Sequence, residues 1–305
     1  MTTVGGESVS VGVVGICGAR ALSGCLAALS RQVQAPPFEV VVVYDPVLSG
    51  VRELAGLHDD VRWIESDQGC EPAVMAARCL SEAQGSIILL TEDHCRPAPD
   101  WVRRLCDAHH ADAAVVGGSI EIDSTARPVD WAFCYVDFYR YAEPLSAGPA
   151  SHASVCNVAY KRSCLKAVRP CWRETLHETA LHGALAERFG PLVMEPQARV
   201  TLLRQVRFGD AMRERYVFGR WFAARRVEHA SPTARVKWIV LSCLLPAVLM
   251  ARMTRTAMKR PRLRRPFARS LMAVTALVLA WSWGEWVGYL TARPPRDLTA
   301  ARQTR

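Results

Sequence analysis

The sequence predicts an α/β domain with a doubly wound sheet, followed by helices that associate with a membrane. Three observations carry this. Short apolar runs of strand length alternate with helix-periodic segments through the first 120 residues. The charge is split: residues 1–200 hold 17 Lys/Arg against 24 Asp/Glu, a balance of −7, while residues 201–305 hold 21 against 5, a balance of +16. Two long apolar runs, Trp238–Ala251 and Leu271–Gly284, lie inside the basic part. The domain boundary is expected near residue 230, giving a domain of residues 1–230 and a basic helical region of residues 231–305.

Ser8–Ile16 (SVSVGVVGI) reads as a buried strand, and Ala21–Arg31 as a helix with apolar residues at 22, 25, 26 and 29. Phe38–Tyr44 (FEVVVVY) is a continuous apolar run ending in Asp45, the pattern of a central parallel strand. Val61–Glu65 is a short strand, and Pro72–Ala83 a helix opened by proline. Ser86–Leu90 is another buried strand, followed by Glu92-Asp93-His94. Pro99–His110 is a helix and Ala114–Gly118 the next strand. Ligands of such sheets gather at the carboxyl ends of the strands, where Asp45 and Glu92–His94 fall.

With 305 residues, half of them apolar and 22% charged, the chain can bury a core and is not disordered. Its 19 Gly and 18 Pro have no period, which excludes collagen-like classes. Eleven cysteines are an odd number without a CxxC pair, so a disulfide scaffold or zinc ribbon is not expected. Cys17, Cys79, Cys156 and Cys243 have apolar neighbours in sequence and read as small core residues in a reducing compartment.

A spanning helix needs about 20 apolar residues. The second apolar run qualifies if it continues past Glu285 through Trp286–Leu290; the first is shorter and carries Pro246. Between them Arg252–Ser270 holds eight Lys/Arg and no acid, and reads as a basic loop. Bracketed by apolar runs, these charges point to an anionic membrane rather than nucleic acid. The first run is expected to be re-entrant or interfacial, which keeps the loop beside the domain under the positive-inside tendency. No signal peptide is apparent, so the domain is expected on the cytoplasmic side of the cell membrane.

Two polar clusters stand out. Adjacent carboxylates in Glu92-Asp93-His94 repel unless a cation neutralises them, and two carboxylates with an imidazole suit Mn²⁺ or Mg²⁺ holding a diphosphate. The alternative is an acidic capping turn before Pro97. His177-Glu178-Thr179-Ala180-Leu181-His182 is not a zincin motif. Its histidines are five apart, about 140° around a helix, rather than four. Glu178 at a helix start is either a helix-dipole partner or a general base. Gly12–Gly18 fits neither GxGxxG nor a P-loop. The aromatic stretch from Trp131 to Tyr141 reads as core or membrane-facing surface, with a sugar or lipid platform as the alternative.

The order of these motifs resembles the family 2 glycosyltransferases, inverting enzymes of the GT-A fold, over residues 8–230. Ser10–Cys17 stands in place of the family's opening SVVIPT strand, and FEVVVVYD supplies the acid, Asp45, that contacts the nucleotide base. Pro72–Cys79 (PAVMAARC) is similar to PAAARN, with Arg78 kept. Gly85–Pro97 (GSIILLTEDHCRP) matches the segment carrying the metal-binding Asp-x-Asp, here Glu92-Asp93-His94. Gly117-Gly118 and Cys156–Arg162 resemble the GG and GxNxAxRR blocks. His177-Glu178 occupies the place of the catalytic Glu-Asp pair, and Glu195–Val200 that of the PxAxV strand.

The resemblance implies a metal-dependent hexosyltransferase that inverts the anomeric carbon. Glu178 would be the base, and Ile16, Cys17, Asp45, Arg78, Glu92, Asp93 and Asn157 would bind the nucleotide sugar. Glu92, Asp93 and His94 would hold Mn²⁺ or Mg²⁺. The basic apolar tail favours a lipid-linked or glycan acceptor at the membrane, and deleting residues 236–305 is expected to release a soluble, nucleotide-binding fragment. The alternatives are a catalytically degenerate membrane protein of the same fold, or a nucleotidyltransferase. The latter should carry a phosphate loop that Gly15–Arg20 lacks.

Overall fold

The computed structural model describes residues 8–109, 113–228, 230–293 and 295; the end of the expected helix at His110 lies outside them. The chain divides into two compact units. The first holds residues 1–121 and 141–203, the second residues 122–140 and 204–305. The expected boundary at residue 230 therefore falls inside the second unit, which also draws a helix out of the middle of the first.

In the first unit β1 (Val9–Gly15), α1 (Ala19–Leu29), β2 (Phe38–Tyr44), α2 (Val51–Ala55), β3 (Val61–Glu65), α3 (Pro72–Glu82) and β4 (Ile87–Glu92) follow one another as strand and helix. β1, β2, β3 and β4 pair in parallel, in the order β3-β2-β1-β4. β1 and β4 are buried throughout, as strands covered on both faces must be, while β3 at the sheet edge is only partly covered. Gly18, with φ +93°, opens the turn from β1 into α1, a backbone conformation that a side chain would strain. At Gly12 a Cβ would lie 2.7 Å from Leu90, so this glycine lets β1 approach its neighbours closely.

The remaining sheet departs from an all-parallel reading. After β4 come β5 (Cys95–Pro97), α4 (Trp101–His109) and β6 (Val115–Ile122). β6 does not join β4; a later strand separates them. Between β6 and that strand the chain forms α5 (Pro128–Phe138) in the second unit and β7 (Gly148–Ala150). β8 (Val158–Lys161) then inserts antiparallel to both β4 and β6. α6 (Arg162–Ala167), α7 (Glu178–Phe189) and β9 (Leu192–Leu202) complete the unit, with β9 antiparallel to β5 and β7. Among the described residues the sheet has nine strands and is mixed.

The second unit packs α5 with α8 (Phe208–Arg226), α9 (Pro232–Ser242), α10 (Leu245–Lys259) and α11 (Pro261–Thr291). The aromatic stretch resolves as core here. Trp131 and Tyr135 are buried and stack at 4.6 Å, and Tyr135 donates to the Met253 carbonyl at 2.7 Å. Phe133 lies between the Arg204 and Arg215 guanidinium groups, each 4.6 Å from its ring centre. Arg252–Ser270, expected as a basic loop, is helical: it ends α10 and begins α11, with a break at Arg260. Arg and Lys are good helix formers, and charge alone does not make a loop. α11 is the one described helix long and apolar enough to cross a membrane by itself, with 44% of its most apolar stretch buried; α9 and α10 are bent 55° from one another at residues 243–244.

Candidate functional site

The parallel strands place the polar clusters. β1, β2 and β3 run outward in one direction, and β4 returns to the other side of β1. The order therefore reverses between β1 and β4, the position at which open α/β sheets form a ligand crevice at the carboxyl ends. Cys17 lies just beyond β1, Asp45 just beyond β2, and Glu92, Asp93 and His94 at and beyond the end of β4.

Asp93 spans the reversal. It is fully buried, and its Oδ2 accepts the backbone N–H of Ile16 at 2.8 Å and of Cys17 at 2.5 Å. Ile16 and Cys17 are thus tied by their backbone to an acid 76–77 residues away in the chain. The other oxygen, Asp93 Oδ1, is buried without a hydrogen-bond partner. Such an orphan costs about 1–3 kcal/mol unless something occupies it.

His94 faces the same point and is 3% exposed. Its Nδ1 is 3.4 Å from Glu92 Oε2, 3.7 Å from Asp93 Oδ1 and 4.0 Å from Cys17 Sγ. Burial opposes protonation of His94, but Cys95, Asp93 and Cys17 outweigh it and raise its pKa well above the ordinary imidazole value. Cys17 Sγ, a carboxylate oxygen of Asp93 and a ring nitrogen of His94 lie within 4.8 Å of one another, as do donors of His94, Cys95 and Cys156. The expected ligand trio was Glu92, Asp93 and His94; the structure gathers Cys17 with Asp93 and His94. These donors fit a divalent cation, because an orphaned buried carboxylate oxygen and an imidazole converge there.

The cysteines do not all behave as core. Cys79 and Cys156 are buried as expected, but Cys17 and Cys243 are exposed. Residue 17 has apolar neighbours because strand β1 ends there, and the side chain leaves the sheet at its rim.

Glu178 is the first residue of α7, following His177 at the cap position. Its Oε1 accepts the Val155 N–H. A helix start should favour the ionised carboxylate. Instead burial, joined by the nearby Glu92 carboxylate, overrides that preference and the Val155 hydrogen bond, and the pKa is pushed up to about 7. His177 and His182 diverge, as their spacing requires. His182 is buried against the Tyr160 hydroxyl at 2.9 Å, and burial lowers its pKa to about 4.

Other expected site residues are placed differently. Asp45 is 6% exposed, and its oxygens accept the Val47 and Gly69 N–H groups at 3.0 Å each, fixing the turn at the end of β2. Arg78 is exposed on α3 and donates to the Glu65 carbonyl at the end of β3. Asn157 lies in the core. Its side chain is fully buried; Nδ2 donates to the carbonyls of Ser119 and Ala198, and Oδ1 accepts the Trp101 indole N–H. The amide cross-links the sheet to α4. Cys156, which sequence distance hid from the site, is brought beside His94 and Cys95 by the pairing of β4 with β8.

Comparison with known proteins agrees with this architecture. Residues 18–169 match the family described as glycosyl transferase family 2. Among solved structures, the mannosyltransferase PcManGT from Pyrobaculum calidifontis, in complex with GDP-Man and Mn²⁺, has a TM-score of 0.50 at 16% identity, covering 94% of this chain and 85% of that one. TarS 1-349 of S. aureus has a TM-score of 0.49 at 12% identity, covering 90% and 91%. Its complex with UDP-GlcNAc gives 0.49 at 12%, covering 91% and 92%. At such identities the likeness to PcManGT is one of fold. No curated protein matches the chain.

Proposed function

From a chain whose residues 18–169 form a glycosyltransferase family 2 domain, we propose an enzyme that transfers a sugar from a nucleotide-diphosphate donor to a membrane-proximal acceptor, with inversion at the anomeric carbon. The observation that carries the reading is the convergence, at the sheet's reversal point, of a cation-ready cluster with a carboxylate held near neutrality. Asp45 and Arg78, at the ends of β2 and β3, would grip the nucleotide. Cys17, Glu92 and Asp93 would face the diphosphate. A divalent cation bound by the Asp93–His94 cluster would neutralise charge gathering on the departing diphosphate.

Glu178 would take the proton of the acceptor hydroxyl. As the acceptor oxygen bonds to the anomeric carbon, the bond from that carbon to the diphosphate oxygen breaks on the opposite face, and the electron pair leaves with the nucleoside diphosphate. A group that titrates near pH 7 is well matched to this task, since it is both available and basic enough to drive the transfer.

The acceptor is assigned to a membrane because two apolar faces are left uncovered. Val236, Val240 and Leu244 are 58–63% exposed on and between α9 and α10, while Met272, Leu279, Trp283 and Leu290 are 40–89% exposed along α11. A soluble surface rarely carries so much contiguous apolar area. The 21 residues Leu271–Thr291 would extend about 31 Å as a helix, close to the thickness of a hydrocarbon core. Arg262, Arg264, Arg265 and Arg269 precede them, a pattern suited to the anionic cytoplasmic face of the cell membrane. A lipid-linked sugar or a glycan precursor is the acceptor class that fits.

The test is a screen of nucleotide sugars for donor hydrolysis by the full-length protein in detergent, with divalent cations supplied or chelated. Cation-dependent release of one nucleoside diphosphate is the expected result. Absence of hydrolysis and of binding for every donor, with cations present, would leave the chain a non-catalytic relative.

A further inference from the structure

We propose that Cys17 Sγ, Asp93 Oδ1 and His94 form a three-donor site for a borderline-soft divalent cation of the Zn²⁺ type, so that this chain's cation preference departs from that of an all-oxygen Mn²⁺ or Mg²⁺ site. The inference rests on the reading of the cluster as a cation site and names the class of ion it selects.

The spacing supports a shared ion. In a tetrahedral zinc site, bond lengths near 2.0–2.3 Å place nitrogen and oxygen donors roughly 3.4 Å apart, and nitrogen and sulfur roughly 3.6 Å. Here the separations from His94 Nδ1 are 3.7 Å to Asp93 Oδ1 and 4.0 Å to Cys17 Sγ. The first is longer than a nitrogen–oxygen hydrogen bond, and the second is at the outer limit of a thiol–imidazole one. Both need only a few tenths of an ångström of closure to bind one ion. Asp93 Oδ1 is buried and lacks a hydrogen-bond partner; its charged neighbour is the His94 ring, whose Nδ1 lies 3.7 Å away. Its sister oxygen is held by two backbone N–H groups, which fixes the carboxylate plane and one of which belongs to Cys17 itself.

The donor types set the selectivity. Mg²⁺ and Mn²⁺ favour oxygen, whereas one sulfur, one imidazole nitrogen and one carboxylate oxygen suit Zn²⁺. On binding, the Cys17 thiol and the His94 imidazolium each give a proton to solvent, and the thiolate and the neutral ring become the ligands. Three protein donors leave one tetrahedral position open, the arrangement of catalytic rather than structural zinc. A diphosphate oxygen could take that position. The neighbouring group of His94, Cys95 and Cys156 contains sulfur too, but both its cysteines are buried. Cys17 is exposed and supplies the route of entry.

Co²⁺ reports on such a site, because thiolate ligation adds a charge-transfer band in the near ultraviolet. Full-length protein in detergent, stripped by chelator, is titrated with Co²⁺ and then with Zn²⁺. Expected are the sulfur band, displacement of Co²⁺ by Zn²⁺, and loss of the band in Cys17→Ser. That variant keeps the backbone N–H that Asp93 accepts, so it should fold. Its Zn²⁺ affinity should fall by no less than the roughly 10–100-fold that a lost supporting partner costs. Mn²⁺ binding in the presence of UDP or GDP, followed by loss of the free-ion resonance, should fall far less than Zn²⁺ binding does in the same variant. If Mn²⁺ binds but no sulfur band appears, or the band survives in Cys17→Ser and disappears in Cys156→Ser, the proposal is overturned while the cation site stands. If no divalent ion binds with or without nucleotide, both the proposal and the cation-dependent reading fall.

Discussion

Glu178 is where chain position and environment disagree, and the environment wins. A carboxylate at a helix start should be ionised, yet burial and Glu92 hold its pKa at about 7, against an ordinary value of 4.5. The sign follows from proton uptake: between those values the folded protein binds the proton that the unfolded chain has released. The stabilising contribution is therefore present below about pH 4.5 and is lost as pH rises through about 7. Base catalysis runs the other way, growing as pH rises through 7. Glu178→Gln removes both dependences while keeping an acceptor for Val155. Transfer to a hydroxyl acceptor should fall about 10²–10⁴-fold with little change in donor affinity. The melting temperature of the variant should also lose its decline between pH 4.5 and 7. Unaltered turnover would take Glu178 out of the mechanism; unaltered turnover with a lowered melting temperature would make it a helix cap. At this scale the sequence was legible where chemistry is local. Glu92, Asp93 and His94 are adjacent in the chain and stay together in the fold. The partners of Asn157 were not legible, because Trp101, Ser119 and Ala198 come from three distant segments. Cys17 as a candidate ligand was hidden for the same reason, since nothing in the sequence joins it to residues 93 and 94.

Elements were legible where one signal dominated. Phe38–Tyr44 and Val61–Glu65 are strands to the residue: the first is an apolar run bounded by polar turns, and the second is short and carries the β-favouring Val61, Trp63 and Ile64. The insertion of β8 between β4 and β6 was not legible, since pairing order depends on long-range contacts that periodicity does not encode. Helix pairing in the second unit depends on a subtler signal. A Cβ on Gly284 of α11 would lie 2.1 Å from the Tyr216 carbonyl oxygen of α8, and one on Gly288 would lie 2.4 Å from that of Arg220. Gly219 of α8 meets the Trp281 carbonyl in the same way, at 2.3 Å. The two backbones thus touch where the small residues alternate. Gly→Ala inside a helix ordinarily stabilises by about 0.5–1 kcal/mol. Gly284→Ala should instead destabilise by about 1–3 kcal/mol, the usual range for overpacking, because a backbone carbonyl cannot step aside. Gly183→Ala in α7 is the control: nothing lies within 4 Å of its Cβ, so the ordinary gain is expected. Denaturant unfolding of both variants in detergent checks the pair. Equal effects of the two substitutions would show that α8 and α11 are not in backbone contact.

At the scale of the whole molecule, the charge changes sign near residue 200, close to where the chain enters the second unit for good at residue 204. The expectation of a soluble fragment after deletion of residues 236–305 assumed that the helices beyond residue 230 were an appendage. In the second unit α11 packs along both α8 and α5, and α5 precedes the supposed boundary by about a hundred residues. Tyr135 of α5 meets the Phe267 ring of α11 at 5.6 Å, and Arg226 of α8 donates to the Tyr289 hydroxyl at 3.1 Å. Deletion would uncover Trp131 and Tyr135 as well as the glycine face of α8, while removing only part of the exposed apolar surface. The truncated protein should therefore aggregate. The full chain should sediment with membranes, and high salt should release only a fraction, because salt screens the arginines of residues 252–269 but leaves the apolar faces of α9, α10 and α11 attached. Fractionation in low and high salt, with size-exclusion chromatography of the fragment, tests both statements. Recovery of the full chain in the soluble fraction without detergent would defeat the membrane reading. A monodisperse fragment of residues 1–235 that still binds nucleotide would show that α5 and α8 hold their fold without α11, and that the unit drawn around those helices has no cooperative meaning.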